Sequence, residues 1–310
     1  MTYGRGVALV LAAGSLWSLM GLGLRQIEAA SVWQILFWRS VGMIPVLLAV
    51  IWWTSGGRPL TAIRSVGIAG ALGGLSLVLA FAGAIYAIQT TTIANAVFLF
   101  SASPFVAAIL GWIILGERVR PGTWAAIALA VFGMFLMVRE GLATGALAGN
   151  IAALLSAVGF GAFTVALRWG RVGNTLPVAL LGGVFSVVAA GLVLALRAEP
   201  VVASGWDMGV SALIGAAILA LGMVVYTAAS KAVPAAELTL LSLIEVLLGP
   251  LWVFLFLDET ASAATFVGGG VLLAAVALNA VLGARAQQTG GQQTAGVSGG
   301  LEVRPLPVNE

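Results

Sequence analysis

The sequence predicts an all-α integral membrane protein of ten transmembrane helices, arranged as two inverted five-helix repeats. Three observations carry that expectation: an extreme apolar composition, ten regularly spaced apolar runs, and a likeness between the two halves of the chain. Of 310 residues, 61% are hydrophobic and 8% are charged, with a mean hydropathy of +1.12. A soluble domain carries about 25% charged residues, and so few polar groups could not cover the surface of so apolar a core. The 41 glycines show no collagen period, and Gly is commoner in membrane helices than in soluble ones.

The chain holds no His and no Cys. That removes Ser-His and Cys-His nucleophile pairs, His/Cys zinc sites, thiolate iron–sulfur clusters and His-ligated haem, so neither a metal nor a cofactor is expected. A pI near 10.0 invites a nucleic-acid reading, but the net charge is only +3. Those charges are better read for sidedness across a bilayer, with no nucleic-acid partner.

Apolar runs between charges and Pro, Gly or polar breaks cover 6–24, 32–54, 66–88, 93–115, 122–138, 147–167, 176–196, 209–230, 236–257 and 264–283. Each is near the roughly 20 residues that cross a bilayer. Among the charged residues, only Arg39, Glu237 and Glu245 fall inside a run. The first run is longer than the 7–15 apolar residues typical of a signal peptide and has a counterpart later in the chain, so it counts as a span. Ten spans put both termini on one side. With the N-terminus inside, ten basic residues (Arg5, Arg58, Arg64, Arg118, Arg120, Arg168, Arg171, Lys231, Arg285 and Arg304) face the cytoplasm and three (Arg25, Arg139 and Arg197) face outward. That bias predicts cytoplasmic termini in the inner or plasma membrane. The Gln/Gly/Ser-rich tail, 285–310, is expected to be disordered, and Leu301 to Glu310 contribute nothing to the fold reading.

Shifted by 142 residues, Leu115-Gly116-Glu117 falls on Leu257-Asp258-Glu259. Shifted by 143, the LGLR ending at Arg25 falls on the VALR ending at Arg168. Two five-span units follow, 1–140 and 145–284. An odd number of spans per unit forces the copies into opposite orientations, the usual construction of secondary carriers.

Several residues now support a resemblance. Gly14, Ser15 and Trp17 form a Gly-Ser-x-Trp stretch in the first span, Trp38-Arg39 a Trp-Arg step in the second, and Leu115-Gly116-Glu117 closes the fourth. Together they resemble the EamA-type carriers of the drug/metabolite transporter superfamily over about 6–283. The acidic-Pro pair that the family often carries in its fourth span is divided here between Ser103-Pro104 and Glu245-Val246, with Pro250 four residues on. The resemblance implies a cavity enclosed by the first, third and fourth spans and their counterparts, with the fifth and tenth at the periphery. It also implies export of amino acids, aromatic ones included, or of other metabolites.

Glu245, about 13 Å into the ninth span, is the leading candidate to bind a substrate ammonium or carry a proton. A carboxylate at that depth costs several kcal/mol unless neutral or paired; the alternative is a protonated Glu holding two helices together. Glu237, two turns earlier, is expected on the same face and near the cytoplasmic mouth, with Asn95 and Ser103 as the matching polar stripe of the first repeat. Arg39, about 10 Å below the outer surface, either attracts a substrate carboxylate or snorkels outward and pairs with an acid such as Glu28. Trp17, flanked by Ser15 and Ser18, and Tyr86 and Tyr226 are candidates to line the cavity. The remaining tryptophans fit an interfacial belt. Pro104 and Pro250 should kink the fourth and ninth spans and let their halves act as gates.

The functional expectation is alternating-access export of small zwitterions, amino acids first, by a monomer or weak dimer in the bilayer. Export of drugs or other organic cations, in exchange for protons, is the alternative. Phosphorylated substrates fit poorly, because lone Arg39 could not clamp a dianion. An enzyme is not expected: Asp207 and Asp258 sit in loops, and neighbouring Ser230 and Lys231 point in different directions on a helix.

Overall fold

Apolar runs of this length can satisfy their backbone in a bilayer only as helices, and a computed structural model shows helices throughout, with no strand among the described residues. It describes residues 2–298; the side chains of residues 140–144, 235, 236, 239 and 283–298 lie outside that description. Ten helices are long and apolar enough to span a membrane: Tyr3–Leu24, Val32–Thr54, Gly67–Thr90, Ile93–Leu115, Pro121–Arg139, Leu147–Trp169, Leu176–Leu196, Gly205–Ala229, Leu240–Leu257 and Ala263–Leu282. They are the ten spans read from the sequence, and the protein is an integral membrane protein. A short helix, Pro59–Ser65, precedes the third span.

Local chemistry sets the span ends. Ser31 caps the second span in a full capping box with Gln34, and Thr92 and Ser204 cap the fourth and eighth, satisfying backbone N–H groups that a helix start leaves free. At the far ends of the fourth and ninth spans, Gly116 and Asp258 both take left-handed conformations, with φ of 68° and 52°. The next residue's N–H returns to Gly111 O in one case and Val253 O in the other, at 3.3 and 3.2 Å. These two turns are the Leu115–Glu117 and Leu257–Glu259 segments that align on shifting the chain.

The tenth span's helix runs on to Ser298. Its Gln- and Ala-containing stretch past Ala284 is therefore helical in backbone where composition predicts no fixed structure, Ala and Gln both being good helix formers. The rest of the expected tail, 299–310, lies outside the described residues.

The principal neighbours are the third and sixth spans, the first and eighth, the first and ninth, the fourth and sixth, the third and seventh, the second and eighth, the second and seventh, and the fifth and tenth. Renaming every span by the one five places along turns this set into itself. Close crossings use glycine. A Cβ at Gly215 would lie 1.8 Å from the Arg39 carbonyl oxygen, and one at Gly83 would lie 2.7 Å from the Ala152 carbonyl oxygen. The eighth span departs from α-helix beside Arg39, where Ile214–Ala220 form a π-helical segment; such segments occur often at functional sites.

Candidate substrate-binding cavity

A cavity of about 370 Å³ lies between the halves, within the size range of small-molecule sites. Residues of the first, third, fourth, sixth, eighth and ninth spans line it, joined by Arg39 of the second, Thr175 before the seventh and Val276 of the tenth. Among the described residues, the fifth span contributes none. Most of the wall is apolar and aromatic, with Phe81, Phe100, Phe160 and Phe163 on it.

Arg39 and Glu245 are the two charged residues on this wall among those described. Glu245 is half-buried there and makes no ion pair among the described residues. Beside it, Ser242 donates to the Leu238 carbonyl at 2.7 Å, and the Tyr226 ring packs 5.3 Å from that of Trp17. Trp17 Nε1 is buried without a partner among the described residues. Arg39 is 1% exposed; it neither reaches outward nor pairs with Glu28. Its Nη1 lies 3.8 Å from Met20 Sδ and its guanidinium carbon 4.6 Å from the Phe81 ring centre. Glu28 is instead tied by its own N–H to Asp207.

Of the other residues singled out in the sequence, Ser103 and Pro104 line the cavity. Pro104 begins a new helix after a break: the fourth span consists of Ile93–Phe100 and Ser103–Leu115, separated at Ser101 and Ala102. Asn95 does not join Ser103 on the wall. Asn95 is buried and bonded, accepting from Thr265 Oγ1 at 2.7 Å and donating to Thr91 Oγ1 at 3.3 Å. Thr91 Oγ1 in turn donates to Asn150 Oδ1 at 3.1 Å, a chain joining the tenth, fourth and sixth spans. Glu237 also lies off the cavity and accepts from Tyr3 Oη. Eight residues turn a helix by about 800°, so Glu237 is some 80° round from Glu245. Ser15 and Ser18 stand off the wall; Ser18 donates to the Ser15 carbonyl and accepts from Trp252 Nε1 at 2.9 Å. Tyr86 is 39% exposed on the outside of the bundle. Pro250 stays within a continuous ninth helix and lines a separate recess beside Glu259.

Sequence reasoning missed Ser242, Thr175 and Thr227 on the wall. Ser242 stands three residues before Glu245, and that helical spacing was a usable signal. Thr175 and Thr227 meet at 3.4 Å between the seventh and eighth spans, a tertiary pairing with no local mark. Asp207, read as a loop residue, is fully buried and accepts from the N–H groups of Glu28, Ala29 and Ala30 at 3.0–3.1 Å. The Ser204-x-x-Asp207 pattern at a helix start was its sequence signal.

Two ion pairs cross between the halves, one at each end of the bundle. Arg25, closing the first span, meets Glu259 of the second half at 2.9 Å, and Arg168, closing the sixth, meets Glu117 of the first half. Each Arg also donates to a carbonyl, Thr91 O at 2.9 Å and Ala107 O at 2.7 Å. These are the same four residues that align when the chain is shifted on itself.

Residues 4–139 match the EamA-like transporter family. No curated protein matches the chain. Among solved structures, one described as "Crystal structure of protein" has a TM-score of 0.62 at 19% identity, covering 91% of this chain and 99% of that one; at that identity the likeness shows the fold alone. The match makes the first five spans similar to membrane transporters of the drug/metabolite type.

Proposed function

With residues 4–139 matching the EamA-like transporter family, we propose that the protein is a secondary carrier that exports small amine-bearing metabolites, amino acids with apolar or aromatic side chains first. One observation carries this reading: a half-buried carboxylate, Glu245, set without an ion-pair partner among the described residues into a mostly apolar and aromatic wall. An ammonium group would complete that carboxylate, and the rings would receive an apolar side chain.

Transport proceeds by alternating access between two inverted units, 1–140 and 145–284, with both termini cytoplasmic. The self-matching set of span neighbours supports the repeat relation. The crossed pairs Arg25–Glu259 and Arg168–Glu117 hold the two units together at opposite ends. Opening either end for substrate would separate the ion pair there while the pair at the other end stays closed. The broken fourth span at Ser101–Ala102 supplies a bending point directly on the wall.

A second reading, export of organic cations, draws on the same carboxylate, which would serve a cation lacking any carboxylate of its own. Counterflow in liposomes tests both. Wild-type protein preloaded with unlabelled amino acids is expected to take up labelled phenylalanine saturably, and Glu245→Gln is expected to reduce that uptake at least about tenfold, the effect of losing one charge-assisted bond. Uptake of organic cations without uptake of amino acids would establish the second reading. Saturable uptake untouched by Glu245→Gln would reduce Glu245 to a structural role.

A further inference from the structure

We propose that Arg39 is the carboxylate subsite of this cavity, so that the substrate is a monoanionic carboxylate as well as an amine. The inference rests on the carrier reading above and deepens it. Arg39 lines the cavity yet is 1% exposed, and its Nε and Nη2 have no hydrogen-bond partner among the described residues. Those two atoms form one edge of the guanidinium, where two N–H bonds run parallel. That edge matches the two oxygens of a carboxylate. The remaining nitrogen, Nη1, is occupied only by the Met20 sulfur at 3.8 Å, and the face of the group lies over Phe81. The side chain is therefore held by soft contacts on one edge and one face, while its strongest donors are left free.

Two other acids of the second half are engaged elsewhere. Asp207 takes three backbone N–H groups, and Glu259 takes Arg25 and the Ile93 N–H. Burying a guanidinium without an anion is costly in a membrane interior, and Glu245, the carboxylate on the same wall, makes no ion pair with it among the described residues. The backbone that carries Arg39 is fixed, because Gly215 of the π-helical segment packs against its carbonyl. Charge also sets the class of anion. No second cation lines the wall among the described residues, so a single carboxylate is matched and a phosphate dianion is not.

Binding to the purified full-length protein in nanodiscs tests the assignment, read from intrinsic tryptophan fluorescence and from thermal shift. Three probes separate the charges: phenylalanine, phenethylamine (amine only) and 3-phenylpropionate (carboxylate only). Arg39→Gln is expected to weaken phenylalanine and 3-phenylpropionate at least about tenfold while leaving phenethylamine within about twofold. Glu245→Gln is expected to weaken phenylalanine and phenethylamine and to spare 3-phenylpropionate. Arg39→Lys keeps the charge without the two-donor edge and should fall between wild type and Arg39→Gln, which secures the test if the Gln variant does not fold. Equal weakening of all three probes in the Arg39 variants, or no weakening of the carboxylates, overturns the subsite. If wild type binds phenethylamine alone, the subsite falls while the amine-carrier reading stands; if it binds none of the three and shows no counterflow, the carrier reading falls too.

Discussion

At the scale of single residues, the same polar side chain can be a ligand or a strut, and its bonding decides which. Asn95 and Glu245 both stand out in an apolar sequence, but Asn95 spends its amide on Thr265 and Thr91, whereas Glu245 has no ion-pair partner among the described residues. Asn95→Ala would take an acceptor from the Thr265 hydroxyl and a donor from the Thr91 hydroxyl and should cost about 1–3 kcal/mol of stability, while leaving the apparent affinity for phenylalanine within about twofold. Thermal unfolding alongside counterflow checks this. A variant that keeps its melting temperature and loses substrate affinity would return Asn95 to the site.

At the scale of elements, the two crossed ion pairs differ in how far they are shielded. The side chains of Arg25 and Glu259 are 26% and 18% exposed, those of Arg168 and Glu117 39% and 40%. Glu259 also accepts the Ile93 N–H at 2.7 Å, so replacing one of its oxygens by an amide NH2 leaves a single acceptor for Arg25 and the helix start. Glu259→Gln should cost about 1–3 kcal/mol, as for a charged hydrogen bond removed from a shielded site. Glu117→Gln should cost about 0.2–1 kcal/mol, as for a solvated pair. Chemical or thermal unfolding of the two variants measures the difference, and equal losses would contradict it. The prolines differ at this scale as well. Pro104 sits at the start of a new helix after a break, while Pro250 is accommodated inside a continuous one. The helix is therefore interrupted in the fourth span and not in the ninth.

At the scale of the whole molecule, the orientation reading can be tested cleanly because the chain contains no cysteine. Single cysteines at Ser55 and Ser230 should react with a membrane-impermeant thiol reagent only from the cytoplasmic side. Single cysteines at Ala198 and Gly205 should react only from outside. Labelling of intact cells against inverted vesicles reads the result, and the opposite pattern would reverse the assigned orientation. Correct labelling at all four positions would support the expected charge bias of the loops.

The number of spans and their limits to within a few residues were legible in the sequence, because apolar length is a local property of the chain. Arg25, Arg168, Glu117 and Glu259 were visible as aligned positions, yet their crossed pairing was not, since it depends on how the halves meet. Glu245, singled out by its depth, and Ser103, named as part of a polar stripe, both line the cavity. Asn95, Glu237, Ser15, Ser18 and Tyr86 do not, because the direction a side chain takes depends on helix phase and on the neighbour it meets. In the ninth span that phase is the offset of about 80° between Glu237 and Glu245. Tertiary packing likewise decided Arg39: sequence allowed it to snorkel, but the close passage of Gly215 and the contacts with Met20 and Phe81 hold its free edge inside the molecule.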